Sequence, residues 1–189
     1  LNLNGAIFDA INDLAGHVSL ADRIMEFGAT YGVHLVVGVV VLSWFLHLGS
    51  DENRRVAFYT AVASMIVALV IAKVLQHYYV HPRPFVARQD VELLVSHAPD
   101  ASFPSEHASG AFALAAGIGL YRARLGLVLL ILSTWIAFSR VFVGIHYPGD
   151  VAGGAAIGVL AALMIWYARP LLAWLDRTIV VRFVPALVR

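Results

Sequence analysis

The sequence predicts an all-α integral membrane protein, a bundle of about five transmembrane helices with an amphipathic interfacial helix at its N-terminal end. Three observations predict it. The 189 residues are 60% hydrophobic and 13% charged, whereas soluble domains carry about a quarter charged residues. The mean hydropathy is +0.80. The apolar residues also gather into runs of near-spanning length, about 20 residues each. Such a composition excludes a disordered chain and argues against an ordinary soluble domain. A net charge of +1 excludes a nucleic-acid binder held by a broad basic face. Cysteine is absent, so the chain has no disulfide framework, thiolate nucleophile or cysteine metal site. The length suits one domain, residues 1–189.

The first element is the N-terminal segment. Leu3, Ile7, Ile11, Leu14 and Val18 recur at helical spacing, while Asn4, Asp9, Asn12 and Asp13 lie elsewhere around the helix. This pattern predicts an amphipathic helix on the membrane surface. It has no basic start and no cleavage-like end, so it does not read as a signal peptide. Five spans follow, at 29–48, 56–78, 106–121, 125–143 and 150–168. The third is short and rich in Ala and Gly, which suits close packing inside the bundle. In the fifth, Gly153, Gly154 and Gly158 allow a similar close approach. Trp44, Trp135, Trp166 and Tyr167 lie within spans or near their ends and mostly read as interfacial anchors.

Basic residues set the orientation. Arg54, Arg55, Arg122, Arg124, Arg169, Arg177, Arg182 and Arg189 fall on one side, eight of the thirteen Lys and Arg. Arg23, Lys73, Arg83, Arg88 and Arg140 fall on the other. The bias predicts the N-terminus outside and the C-terminus in the cytoplasm. The connections 79–105 and 140–149 then face outward.

Polar groups crowd at that outward face. His77, His81 and Arg83 follow the second span, Ser105, Glu106 and His107 open the third, and Arg140 ends the fourth. His146 and Asp150 open the fifth. Ionisable groups beside a bilayer are expensive unless paired or hydrated, so their grouping points to function. Arg83 and Arg140 can each offer a bidentate fork to a phosphate. Ser105 sits at a plausible N-cap, where backbone N–H groups face an incoming anion. His146 and Asp150 are four residues apart, so the carboxylate can fix the imidazole tautomer and leave the other nitrogen free to attack. His107 is the natural proton donor to a leaving oxygen. Each of these residues alone has a plainer reading. An arginine at a helix end snorkels to headgroups, and a lone histidine there packs or meets a headgroup. The register of Ser139, Arg140, His146 and Asp150 favours the chemical reading. His77 and His81 have metal-pair spacing, but no third ligand accompanies them. His34 and His47 default to packing or headgroup contact, and Asp90, Glu92 and Asp100 to solvated loop positions.

These residues resemble a known family. Pro104-Ser105-Glu106-His107 resembles the second signature of the type-2 phosphatidic acid phosphatase superfamily. Ser139-Arg140, five residues, His146, three residues and Asp150 resembles its third, and Arg83-Pro84 the end of its first. The runs His81-Pro82-Arg83-Pro84-Phe85-Val86-Ala87 and Ala101-Ser102-Phe103-Pro104-Ser105-Glu106-His107 are most similar to the bacitracin-resistance type of undecaprenyl-diphosphate phosphatase. The resemblance implies that His146 is the nucleophile, forming a phosphohistidine, and that Asp150 orients it. It implies that His107 is the general acid and then the base, and that Arg83, Arg140 and the Ser105 region bind phosphoryl oxygens. It implies no metal and no cofactor. The family's first signature has a Lys, six residues, then Arg-Pro; in this chain nine residues separate the nearest upstream lysine, Lys73, from Arg83. Lys73 either reaches the phosphate through a partly irregular connection or sits too deep. Glu106 either serves the helix dipole, tunes His107, or faces a second phosphate.

The expected activity is hydrolysis of undecaprenyl diphosphate to undecaprenyl phosphate and phosphate, at the outer face of a bacterial cell membrane. The expected partners are a polyprenyl diphosphate and the bilayer, with no nucleic acid. Within the superfamily, a phosphatidylglycerophosphate, phosphatidate or lipid-A phosphatase is the alternative. From another class, a non-enzymatic lipid-binding or transport protein is the alternative, although five spans give no even inverted repeat.

Overall fold

A computed structural model describes residues 3–45 and 52–180. These residues form eight α-helices and a terminal π-helical turn. The helices are α1 (Leu3–Asn12), α2 (Ser19–Phe45), α3 (Glu52–Tyr78), α4 (Pro84–Ala87), α5 (Glu106–Gly119), α6 (Ala123–Phe142), α7 (Pro148–Tyr167) and α8 (Arg169–Leu175). The turn follows at Asp176–Val180. No strand occurs among the described residues. His47, Arg182, Arg189 and the last residues of the expected first span lie outside them.

Four helices, α2, α3, α6 and α7, are long and apolar enough to cross a membrane. The chain is therefore a multi-pass membrane protein. The expected third span is the 14-residue α5. At 1.5 Å per residue it rises about 21 Å, too little to cross about 30 Å of hydrocarbon. It is instead the central pillar. Nine of its 14 residues are buried, and it packs against α3, α6 and α7. Its Ala and Gly content explains how helices come so near. A Cβ on Gly158 would lie 2.5 Å from the Ser109 carbonyl oxygen, and one on Gly154 2.5 Å from that of Ser105. Val36, Val40, Ala61, Leu114, Leu129 and Ile136 form the main core where α2, α3, α5 and α6 meet. Leu, Ile and Val side chains on the outer faces of the long helices stay exposed, as lipid contact requires.

The first long helix begins at Ser19, ten residues before the expected 29. The polar residues Asp22, Arg23 and Glu26 lie in its first turns, which hides that start from a hydropathy reading. The N-terminal segment forms the expected helix, and it adds contacts with the protein. Leu3 and Ile7 are exposed and Phe8 is buried, while Asn4, Asp9 and Asn12 bind the protein. Asn12 is buried, and its side-chain amide donates to the carbonyls of Glu92 (2.9 Å) and Phe142 (2.8 Å) and accepts from the Glu92 N–H (3.0 Å). Asn4 accepts from the Gly149 N–H at 2.8 Å. Asp9 pairs with Arg88 at 2.5 Å. Part of the polar stripe of this segment thus ties it to the site-bearing loops, while Asp13 stays exposed.

Candidate active site

The turn between α6 and α7 aims the central imidazole. α6 stops because Gly144 takes a φ of +85°, a conformation that an L side chain resists. The Ile145 N–H then returns to the Arg140 carbonyl at 3.3 Å, and that of His146 at 3.2 Å, a Schellman-type closure. Pro148 opens α7, and Asp150 in its first turn accepts from the Tyr147 N–H at 2.8 Å. One short turn therefore places Arg140, His146 and Asp150 together.

His146 is 1% exposed, Arg83 3% and Arg140 4%. Arg83 Nη1 donates to His146 Nε2 at 3.1 Å, and Arg140 Nη2 lies 3.4 Å from the same nitrogen. A guanidinium has no lone pair to offer, so Nε2 is the acceptor and the ring proton resides on Nδ1. Ser102 Oγ stands 3.3 Å from Nδ1 and donates to Asp150 Oδ2 at 2.5 Å. His146 Nδ1 and Asp150 Oδ2 are 3.6 Å apart. The carboxylate thus reaches the imidazole chiefly through the Ser102 hydroxyl. Burial, and then the charges of Arg140 and Arg83, outweigh the opposing pull of Asp150 and hold the His146 pKa down at about 3. The ring is neutral at physiological pH, with its Nε2 lone pair facing two cations.

A cavity of about 190 Å³ opens on these groups, lined by Lys73, Gln76, Arg83, His97, Asp100, Glu106, His107, Arg140 and His146. Arg83 Nε donates to Asp100 Oδ1 at 2.7 Å. Burial would raise the Asp100 carboxyl, but the hydrogen bond and charge of Arg83 hold it below the usual carboxylate range. Arg140 Nη1 donates to the Ala29 carbonyl (2.9 Å), and Nη2 lies 3.2 Å from His97 Nε2. Its Nε is buried without a hydrogen-bond partner, and no carboxylate among the described residues pairs with it. Lys73 Nζ sits 2.6 Å from Glu106 Oε1, with the lysine side chain 64% exposed. Three cations and two carboxylates therefore line the cavity. The arrangement can hold an anion of several charges against a nucleophilic imidazole.

Of the sequence-predicted residues, His146, His107, Arg83, Arg140, Lys73 and Glu106 line this one cavity. Lys73 reaches it despite its displaced position, and Glu106 meets Lys73 rather than His107. Asp150 stands behind the ring. Ser105 differs from expectation. It is fully buried, is absent from the cavity wall, and its hydroxyl accepts from the Ala108 N–H at 3.5 Å. It caps α5 and so aims His107 instead of facing an anion itself. Ser102, His97, Gln76 and Asp100 were not singled out as site residues by sequence reading. Each lies where helical spacing gives no signal or mimics an ordinary span end. Only the run around Ser102, already quoted for its resemblance, marks that segment. Among the described residues, no group of three or more His, Asp or Glu is arranged to hold a metal ion.

The PAP2 superfamily model matches residues 57–174. Undecaprenyl-diphosphatase BcrC of Bacillus subtilis (strain 168) is 34% identical over 164 residues, covering 87% of this chain and 83% of that protein. A putative undecaprenyl-diphosphatase of Escherichia coli (strain K12), YbjG, is 33% identical over 171 residues, covering 88% and 84%. Among solved structures, Aquifex aeolicus LpxE superposes with a TM-score of 0.74 at 22% identity, over 88% of this chain and 96% of that one. That likeness is one of fold.

Proposed function

Since the chain belongs to the PAP2 superfamily, we propose that it is a membrane phosphatase that hydrolyses undecaprenyl diphosphate to undecaprenyl phosphate and phosphate. The observation that carries the chemistry is the pairing of a neutral His146 Nε2 with two buried guanidiniums, one of which has an N–H without a partner. Buried charge without a counter-ion is costly. A phosphoryl group supplies both the missing acceptor and the electrophile. The names of the relatives support the polyprenyl diphosphate as substrate.

In the first step His146 Nε2 attacks the terminal phosphorus. The P–N bond forms as the bond to the bridging oxygen breaks, and His107, which burial and the charge of Arg140 keep neutral until substrate enters, takes a proton from the entering diphosphate and gives it to that oxygen. Arg83 and Arg140 hold the non-bridging oxygens, where charge builds in the transition state. The Nδ1 proton stays on the ring, and Asp150, through Ser102, balances the positive phosphoimidazole. In the second step His107 takes a proton from water, which attacks phosphorus as the P–N bond breaks. Lys73 and Gln76 receive the inner phosphate of the diphosphate, and Glu106 holds Lys73 at the cavity mouth until substrate arrives. Guanidinium and ammonium charge fills the role a metal would have, so no metal and no cofactor enter the scheme.

The site faces the outside of a bacterial cell membrane, with the C-terminus in the cytoplasm. Supporting this, Arg54, Arg55, Arg122, Arg124, Arg169 and Arg177 lie at the end of the bundle opposite the cavity. The polyprenyl tail stays in the bilayer while the headgroup enters.

The test is phosphate release from undecaprenyl diphosphate in detergent. Wild type should turn over in EDTA and be inhibited by vanadate. His146→Ala should fall to background while eluting as a folded protein; near-normal turnover in that variant defeats the mechanism. Faster hydrolysis of phosphatidylglycerophosphate, phosphatidate or a lipid-A phosphate would reassign the substrate. A protein that binds polyprenyl phosphate and releases none from any lipid would be a binding protein.

A further inference from the structure

Asp150 presents its two oxygens to opposite sides. Oδ2 is engaged by the Tyr147 N–H and the Ser102 hydroxyl. Oδ1 faces His81, whose Nδ1 lies 3.8 Å away. That nitrogen is buried and makes no hydrogen bond, an expensive state for a polar atom. The His81 ring is fixed from outside the catalytic cavity. It lies parallel to Tyr79, 2° from coplanar with centroids 6.2 Å apart, and meets the Tyr147 ring at 5.5 Å. Its backbone carbonyl accepts from the Ser102 N–H at 2.8 Å. One residue therefore touches both groups that stand behind His146, Ser102 through its main chain and Asp150 through its ring. A second cavity of about 140 Å³, lined by Asn4, Tyr79, His81, Phe103, Gly149 and Asp150, opens on this side. It shares no residue with the wall of the catalytic cavity.

We propose that His81 is a positioning residue for the nucleophile. In its Nδ1–H tautomer it donates to Asp150 Oδ1, across a gap that a small contraction closes, and so fixes the carboxylate that orients His146 through Ser102. This rests on the phosphatase reading given above. His81 lines no part of the catalytic cavity, so its loss should act on kcat and leave KM nearly unchanged.

The experiment compares His81→Phe with His81→Asn. Phenylalanine keeps the ring contacts with Tyr79 and Tyr147 but has no Nδ1. Asparagine loses those contacts but brings an amide nitrogen close to the Nδ1 position. With undecaprenyl diphosphate in detergent, kcat of His81→Phe should fall about 10-fold or more. His81→Asn should stay within about 3-fold of wild type at similar KM. The reverse order, with Phe active and Asn inactive, would make His81 a packing residue and overturn the proposal. A second measurement needs no substrate. In imidazole-¹⁵N spectra, the Nδ1–H tautomer of His146 should lose population in His81→Phe and recover in His81→Asn; an unchanged His146 signal in His81→Phe overturns the proposal. If wild type hydrolyses no lipid phosphate, the phosphatase reading fails, and these spectra still decide on His81.

Discussion

Charge at this site is set residue by residue. Arg83 has an internal anion, Asp100, and Arg140 has none among the described residues. A phosphate arriving at Arg83 meets that carboxylate, bonded at Nε, in the same cavity. Asp100→Asn should therefore lower KM and tighten vanadate inhibition by about 3- to 10-fold, read from initial rates. Ser102→Ala removes the hydroxyl between Nδ1 and Asp150 and should lower kcat by about 10- to 100-fold, with KM little changed. His146 also gives a pH prediction. Unfolded, it takes a proton below about 6.5; folded, it resists to about 3. The unfolded state therefore binds more protons across that window, and stability falls as pH drops through it. His146→Gln should show a shallower loss of Tm between these pH values. The His146 and Asp150 spacing was legible because four residues are one helical turn. Ser102 was not, because it reaches Asp150 across 48 positions from an irregular segment, where no periodicity applies.

Elements position these side chains through small residues. Gly144 sits at φ +85°, and a Cβ there would lie 2.6 Å from the Glu92 carbonyl oxygen. Gly144→Ala should cost about 1–2 kcal/mol and tilt His146 away from Arg83, seen as a lower Tm and a larger loss of kcat. On α7, Gly158 lets α5 come within backbone contact. Gly158→Val should destabilise by about 1–3 kcal/mol through overpacking, measured by thermal unfolding in detergent. The apolar runs marked the helices well, since span length is a strong constraint. Two features escaped. α2 starts among polar residues, and α1 turns part of its polar stripe inward, because hydropathy does not report which neighbour a polar side chain will meet.

Across the whole molecule, the end opposite the cavity is held by charge. Arg55 Nε and Nη2 fork onto Asp176, at 2.9 Å and 2.7 Å, and the Tyr59 hydroxyl donates to the same carboxylate. Arg177 forks onto Glu52 nearby. The first pair is buried and ties the segment after α8 to the start of α3. Asp176→Asn should cost about 2 kcal/mol, visible as a lower Tm, with kcat unchanged because the cavity lies at the far end of α3. At this scale the bundle was legible from composition, and the long-range ties were not.

The brevity of α5 has a consequence for what can arrive at its tip. A rod of about 21 Å stands among longer helices, so His107, in its first turn, lines a recess of about 190 Å³ between them. Water must descend to it, and a slender pyrophosphoryl head can follow.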